Sequence, residues 1–405
     1  MKEQAVIIGA GQAGAQGAQS LRAAGYNGAI VLIGAEKAAP YQRPPLSKAY
    51  LQGTMSADRL ALKPDAFYVQ NDITLRLGEQ VTVIDRANAR VETAAGAAIA
   101  YDRLLLATGA PPRRLHCPGT ELSGVHYLRT AEDCEGLRPV LATARRLVIV
   151  GAGYIGLEVA ASARKAGRAV TVLEAQSRVL ARVAGPEISG FFDALHRLHG
   201  ADLRLNAALS HLEGRGVVER AVLMSGETID CDAVLIGVGA VPAAALAEAA
   251  GLVIDNGVST DEHAATSDPA IFAAGDCASH PSTLYGRRMR LESVPNAIEQ
   301  AKVAGANMAG GNAVYDSVPW FWSDQYDVKL QTAGVADGAD SAVLRGDPAS
   351  GRFSLWSLKA GRVLAVDAVN DPAAFLVSKK IIAAKTPVDA KTLADPAADL
   401  KSLAS

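Results

Sequence analysis

The sequence predicts an α/β protein with two doubly wound parallel sheets and a smaller α+β domain at its C-terminal end. Residues 5–36 and 147–175 repeat one pattern: apolar strand, glycine-rich turn, small-residue helix, second apolar strand. The strands of the repeat are continuously apolar, as expected of a parallel sheet buried on both faces with helices on either side. Beyond about residue 317 the chain turns to short alternating stretches such as Phe353-Ser354-Leu355-Trp356-Ser357-Leu358, which fit antiparallel strands.

The first copy reads Ala5-Val6-Ile7-Ile8, then Gly9-Ala10-Gly11-Gln12-Ala13-Gly14, with Ala29-Ile30-Val31-Leu32-Ile33 as its second strand. Shorter strands such as Val81-Thr82-Val83-Ile84 follow, and the run Leu104-Leu105-Leu106-Ala107-Thr108-Gly109 ends the segment. The second copy reads Leu147-Val148-Ile149-Val150, then Gly151-Ala152-Gly153-Tyr154-Ile155-Gly156. Its second strand, Ala169-Val170-Thr171-Val172-Leu173, runs directly into Glu174. A matching run, Ala233-Val234-Leu235-Ile236-Gly237-Val238-Gly239, closes it. Both closing runs end in glycine, where the chain is expected to cross between domains. The expected division is residues 1–109 with 240–316, residues 110–239, and residues 317–405.

With 405 residues, 49% of them hydrophobic, the chain can bury two or three cores. A net charge of −2 gives no support for binding nucleic acid or anionic membranes. No apolar run reaches the roughly 18 residues of a spanning helix, and no secretory leader is read between Met1 and Ala5, so a soluble cytoplasmic chain is expected. Cys117, Cys134, Cys231 and Cys277 never fall in C-x-x-C spacing. Neither a disulfide framework nor a metal site is expected from them.

A single G-x-G-x-x-G is a weak signal, but both copies here sit between a strand and a helix, the context of a Rossmann dinucleotide site. Gly9 and Gly11, like Gly151 and Gly153, let the backbone turn and approach a pyrophosphate. Gly14 and Gly156 allow helix and strand to touch, and each helix N-terminus supplies N–H donors. Glu174 ends its strand where a carboxylate bonds an adenosine ribose 2′-OH and repels a 2′-phosphate. That favours NADH over NADPH, with Arg178 close by as a counter-signal. In the first copy the acid comes later, and Glu36 is open between contact with a ribose and a place in a solvated turn.

Thr266-Ser267-Asp268-Pro269 and the following Ile271-Phe272-Ala273-Ala274-Gly275-Asp276 resemble the second FAD motif of the FAD-dependent pyridine-nucleotide reductases. In that motif the strand brings Asp276 to the ribityl chain. Tyr41-Gln42-Arg43-Pro44-Pro45-Leu46-Ser47-Lys48 lies where glutathione-reductase relatives carry a redox-active cysteine pair, and it has no cysteine. Electrons reaching the flavin must then leave directly for an external acceptor. Together with Arg290-Leu291-Glu292-Ser293-Val294-Pro295-Asn296-Ala297 and Trp320-Phe321-Trp322-Ser323-Asp324-Gln325, these segments resemble the putidaredoxin-reductase-like NADH:ferredoxin reductases. These serve bacterial cytochromes P-450 and aromatic-ring dioxygenases; apoptosis-inducing factor is a more distant relative.

The resemblance covers essentially the whole chain. It implies two Rossmann-like dinucleotide-binding domains, glutathione-reductase-like, plus a C-terminal α+β interface domain. It also implies non-covalent FAD, NADH as donor and a [2Fe–2S] ferredoxin as acceptor. It places Lys48 beside flavin N5, Glu158 near the nicotinamide amide, and the backbone at Val294 against the flavin pyrimidine. There a helix dipole favours negative charge on the reduced flavin. Arg43, Pro45 and Arg129 are further FAD contacts, with Arg129 at the pyrophosphate. Val81 stands near adenine, and Ala13 and Ala35 lie along the adenosine half. Ile155 and Gly239 join the nicotinamide-nucleotide contacts. Trp320, with Trp322 as second candidate, is expected beside the isoalloxazine near the ferredoxin, and Phe321 as an anchor of its strand. Residues 317–405 hold ten basic and ten acidic side chains, so an acidic ferredoxin needs a local patch. Arg43, Lys379 and Lys380 are its candidates. Two other functions stay open: reduction of small acceptors (quinones, monodehydroascorbate, dioxygen), and redox signalling through a change of oligomeric state.

Overall fold

The computed structural model describes residues 3–404; Met1, on which the expectation about a leader rests, lies outside them. Two compact units divide the chain. The first is Met1–Gln42, Ala57–Pro111 and Val241–Pro319; the second is Arg43–Ser56, Pro112–Ala240 and Trp320–Ser405.

In the first unit a five-stranded parallel sheet runs in the order Ile271–Ala273, Arg103–Leu106, Gln4–Ile8, Ala29–Gly34, Ile73–Leu77. Its residues sort by parity, because successive side chains of a strand point to opposite faces. Ala5, Ile7, Ile30, Leu32, Leu105 and Phe272 pack under the helices Gln12–Ala23 and Val294–Met308. Val6, Ile8, Val31, Ile33, Leu104, Leu106 and Ile271 pack instead against Val81, Ile84, Val91 and Ile99. These belong to an antiparallel sheet, Val81–Asp85, Arg90–Thr93 and Ala98–Ala100. Helices on both faces were expected. The second face carries this sheet and the short helix Ala245–Ala249, since any apolar layer satisfies a two-faced strand.

The second unit repeats the arrangement. Its parallel sheet runs Asp202–Arg204, Ala169–Leu173, Arg146–Val150, Ala233–Ile236, Val125–His126. Val148, Val150, Val234 and Ile236 face the antiparallel sheet that carries Leu212, Val218, Ala221 and Leu223. Ile149 faces the helix Tyr154–Lys165, where its Cγ2 would meet a Cβ on Gly156 at 3.3 Å. The same unit holds an antiparallel sheet, Trp320–Gln325, Val328–Gly334, Arg362–Val369, Arg352–Lys359, Ser341–Asp347, with the helix Pro372–Ala384 packed on it. Among the described residues no helix is long and apolar enough to cross a membrane.

Three buried titratable groups set a pH dependence of stability. His196 and His280 are buried, and desolvation lowers each imidazole from 6.5 to about 4. Asp367 is 3% exposed, and burial raises its carboxyl from 3.8 to about 6. Between pH 6.5 and 4 the unfolded chain binds protons that the native imidazoles refuse, so their contribution is present above pH 6.5 and lost as pH falls. Asp367 acts with the opposite sign. Its unfolded carboxyl ionises first as pH rises from about 4 to 6, and its burial destabilises the protein above that range. Asp367→Asn is therefore expected to raise Tm at pH 8, where up to about 3 kcal/mol is at stake, and to change it little at pH 4.5. Scanning calorimetry at the two pH values checks this; an equal shift at both would show that Asp367 is ionised in the native protein.

Candidate functional site

Gly9 takes φ 113°, and a Cβ on it would lie 2.1 Å from the Ala107 carbonyl oxygen. A Cβ on Gly14 would lie 1.8 Å from the Gly9 oxygen. The loop thus closes on the first turn of its own helix, and Gly11 caps that helix with no side-chain bond. Backbone N–H groups at such an end are ready for an anion. The strand Ile271–Ala273 delivers Asp276 as the one partly exposed residue of the buried stretch 271–280. A Cβ on Gly275 would touch Ala13 at 3.0 Å, so Asp276 and the glycine-loop helix are neighbours. Val294 opens the helix Val294–Met308, whose N-cap Ser293 accepts from the Asn296 N–H at 3.2 Å. Tyr41 donates to Glu36 at 2.5 Å, and Ala35 is exposed beside it. Val81 is core, 8% exposed among Val6, Ile33 and Ile84.

In the second unit Gly151 takes φ 103°, with the Gly237 oxygen 2.4 Å from where its Cβ would be. A Cβ on Gly156 would stand 2.1 Å from the Gly151 oxygen, and Gly153 caps the helix without a side-chain bond. Glu174 lies at the strand end as expected, where its carboxylate accepts from the N–H groups of Ala152 (2.8 Å) and Gln176 (2.9 Å). Arg178 is committed elsewhere, donating to Ala184 O, Ala181 O and Ser189 Oγ. Ile155 is 44% exposed at the start of the helix, an apolar side chain offered to solvent beside the loop. Gly239 takes φ 102°, and a Cβ there would meet the Arg182 guanidinium at 2.9 Å.

Lys48 and Glu158 meet, Nζ to Oε2, at 2.5 Å. Glu158 is 3% exposed, and a carboxylate so far out of water needs partners on both oxygens. Ser47 Oγ donates to Oε2 at 2.5 Å and Ser323 Oγ to Oε1 at 2.7 Å. Ser47 ends the 3₁₀ turn Pro44–Ser47, and its carbonyl accepts from Ser162 Oγ at 2.8 Å. Neither serine belongs to the residues that the motifs assign a role. Ser47 lies inside the Pro-Pro-Leu-Ser-Lys run. For Ser323 the signal was strand alternation, which puts Phe321, Ser323 and Gln325 on one face of Trp320–Gln325. Phe321 packs on Tyr154, ring centroids 4.4 Å apart.

Arg43 donates to the Arg129 carbonyl at 2.6 Å, bringing those two together. Pro45 is partly exposed in the same turn. Cys134, 0% exposed, donates to the Leu46 carbonyl at 3.2 Å, and burial pushes its thiol up to about 12. The cysteine nearest this turn is therefore a protonated, inert thiol at neutral pH. On the other face of the C-terminal strand, Trp320 neighbours Trp322 and Phe375, both at 5.6 Å, and the Lys379 ammonium lies 5.1 Å from its ring centre. Lys380 is exposed.

Two glycine-cradled dinucleotide loops, each on its own parallel sheet, together with a lysine paired to a buried carboxylate, define a flavin- and pyridine-nucleotide-dependent oxidoreductase. Residues 3–301 match the family model of the pyridine nucleotide-disulphide oxidoreductases, and residues 320–404 match the reductase C-terminal domain. The chain belongs to the pyridine nucleotide-disulphide oxidoreductase family. Rhodocoxin reductase of Rhodococcus erythropolis is 46% identical over 397 residues, 98% of this chain and 93% of its own. The solved ferredoxin reductase of the CYP199A2 system from Rhodopseudomonas palustris has 42% identity and a TM-score of 0.97, covering 100% of both chains. The solved covalent putidaredoxin reductase–putidaredoxin complex matches at 43% identity and TM-score 0.96, covering 99% of this chain and 98% of that one. FAD and NAD(P)H are the cofactors of this family, and Gly11 and Gly153, where a Cβ would meet nothing within 4 Å, leave open space for a pyrophosphate at the N-terminus of each loop helix.

Proposed function

We propose that this chain is an NADH:ferredoxin reductase. It takes hydride from NADH and passes single electrons to a [2Fe–2S] ferredoxin that supplies a cytochrome P-450 or a ring-hydroxylating oxygenase. The observation that carries the reading is the pairing of the buried Glu158 carboxylate with Lys48, which follows a turn with no cysteine pair, its nearest thiol Cys134 being protonated. FAD, when bound, accepts a hydride and returns its electrons one at a time. The protein's part is positioning and charge. Lys48 supplies a positive charge, and Glu158 is held rigid to orient the nicotinamide amide. Glu174 repels a 2′-phosphate, and Arg178, tied to three oxygens, does not offset it. This supports NADH as the donor.

FAD is assigned to residues 1–109 and 240–316, NADH to 110–239, and the acceptor to 317–405. There Trp320, under the Lys379 ammonium, gives an aromatic edge with local positive charge for an acidic partner. A cytoplasmic location fits the four free cysteines.

Stopped-flow spectroscopy tests the reading: the flavin is reduced with NADH or NADPH, and oxidised [2Fe–2S] ferredoxin is then added. Fast bleaching by NADH, slow bleaching by NADPH, and rapid, salt-sensitive electron passage are expected. Bleaching without transfer to any ferredoxin would point to a small acceptor instead.

A further inference from the structure

We propose that His196, Gln325 and Ser323 form a directional chain of hydrogen bonds that fixes the Glu158 carboxylate for hydride transfer. His196 and Gln325 are then positioning residues for a reaction they do not touch. The inference rests on the role given to Glu158 above.

The links are Ser323 Oγ to Glu158 Oε1 at 2.7 Å, Gln325 Nε2 to Ser323 Oγ at 3.2 Å, and His196 Nε2 to Gln325 Oε1 at 2.8 Å. Tyr326 Oη lies 3.3 Å from His196 Nδ1. The direction follows from one end. A carboxylate only accepts, so Ser323 spends its single proton on Glu158, and its oxygen accepts from Gln325. The Gln325 amide must then present its nitrogen to Ser323 and its oxygen to His196. His196 must carry its proton on Nε2, with Nδ1 accepting from Tyr326. Each link determines the next, and hydrogen bonds aligned head to tail strengthen one another in a low-dielectric interior.

His196, Ser323 and Gln325 are each 0% exposed. Three buried polar side chains are a poor means of stabilising a fold, because apolar residues of similar volume do as well without desolvation. Their arrangement makes sense as a device that ends on one carboxylate. Burial also holds His196 neutral, its imidazole lowered to about 4, as a single-donor link requires. The links come from three elements: the helix Pro186–Leu198, the strand Trp320–Gln325 and the helix Tyr154–Lys165. The C-terminal sheet thus takes part in the NADH half-reaction.

The test uses FAD-loaded protein and the variants Ser323→Ala, Gln325→Met, their combination, Ser323→Thr and Glu158→Gln. Ser323→Ala and Gln325→Met are each expected to lower the limiting rate of flavin reduction about tenfold, with the NADH dissociation constant within about threefold. The combination should be no slower than the slower single variant, and Ser323→Thr should restore the rate. Additive losses, or wild-type rates in both single variants while Glu158→Gln is slow, would overturn the chain. A wild-type rate in Glu158→Gln would overturn the role of Glu158 itself. A readout independent of turnover is ¹⁵N NMR of the wild-type imidazoles at pH 7. His196 is expected neutral with its proton on Nε2, and a proton on Nδ1 or a cationic ring would sink the proposal even if a variant failed to fold.

Discussion

Glu158→Ala is expected to slow reduction of the bound flavin by NADH by about 10²–10³-fold, while the protein still purifies yellow. The alanine removes the carboxylate that accepts from Lys48, Ser47 and Ser323, and it leaves the Lys48 ammonium without its partner. Two effects then compete. Losing a buried ion-pair partner destabilises the fold by about 3–5 kcal/mol where the remaining charge is trapped. Lys48 retains 20% side-chain exposure and can turn toward water, so the stability loss should fall below that range. The kinetic loss is not relieved in this way, because it comes from an oriented acceptor that no solvent molecule reproduces. Stopped-flow traces at saturating NADH decide it, and a limiting rate within threefold of wild type would remove Glu158 from the mechanism.

Gly14→Ala and Gly156→Ala make a matched pair with different outcomes. At each position the new methyl group would fall on a backbone oxygen, 1.8 Å from Gly9 O and 2.1 Å from Gly151 O. Backbone cannot yield as a flexible side-chain tip does, so each helix must move off its strand and its pyrophosphate loop must open. Gly14→Ala is expected to yield colourless or mostly flavin-free protein. Gly156→Ala should stay yellow yet lose most of its affinity for NADH, with photoreduction of the flavin intact. The ratio of absorbance at 450 nm to that at 280 nm, followed by an NADH titration, separates the two. If both variants lost flavin, the assignment of one nucleotide to each loop would fail.

The glycine loops were legible because their cause is local. At Gly14 and Gly156 a Cβ would strike the Gly9 or Gly151 oxygen five residues back, and that local exclusion is part of what is written as G-x-G-x-x-G. Glu174 was legible for the same reason, since it ends the strand that begins 23 residues after Arg146 and pairs with it in register. The turn Pro44–Ser47 gave notice of Lys48 through its resemblance to known reductases, and that resemblance also gave Glu158 a place near the nicotinamide amide. Composition alone offered no reason to connect positions 48 and 158.

What covers the second face of each parallel sheet was not legible. The unbroken apolar run Ala5-Val6-Ile7-Ile8 reports that both faces are dry and is silent on whether helix or sheet dries them; here antiparallel strands such as Val81–Asp85 do so. The partners of Glu158 were hidden for a related reason. Ser47, Ser323, Gln325 and His196 are ordinary polar residues in sequence, and their meaning arises only when distant segments bring them within hydrogen-bond distance of one buried charge. The sequence by itself determined the two glycine loops, because the close approaches of Gly14 to Gly9 and of Gly156 to Gly151 act within five residues. The tertiary structure alone decided how the central carboxylate is held, because burying a charge is a long-range problem that the chain solves with whichever side chains folding brings beside it.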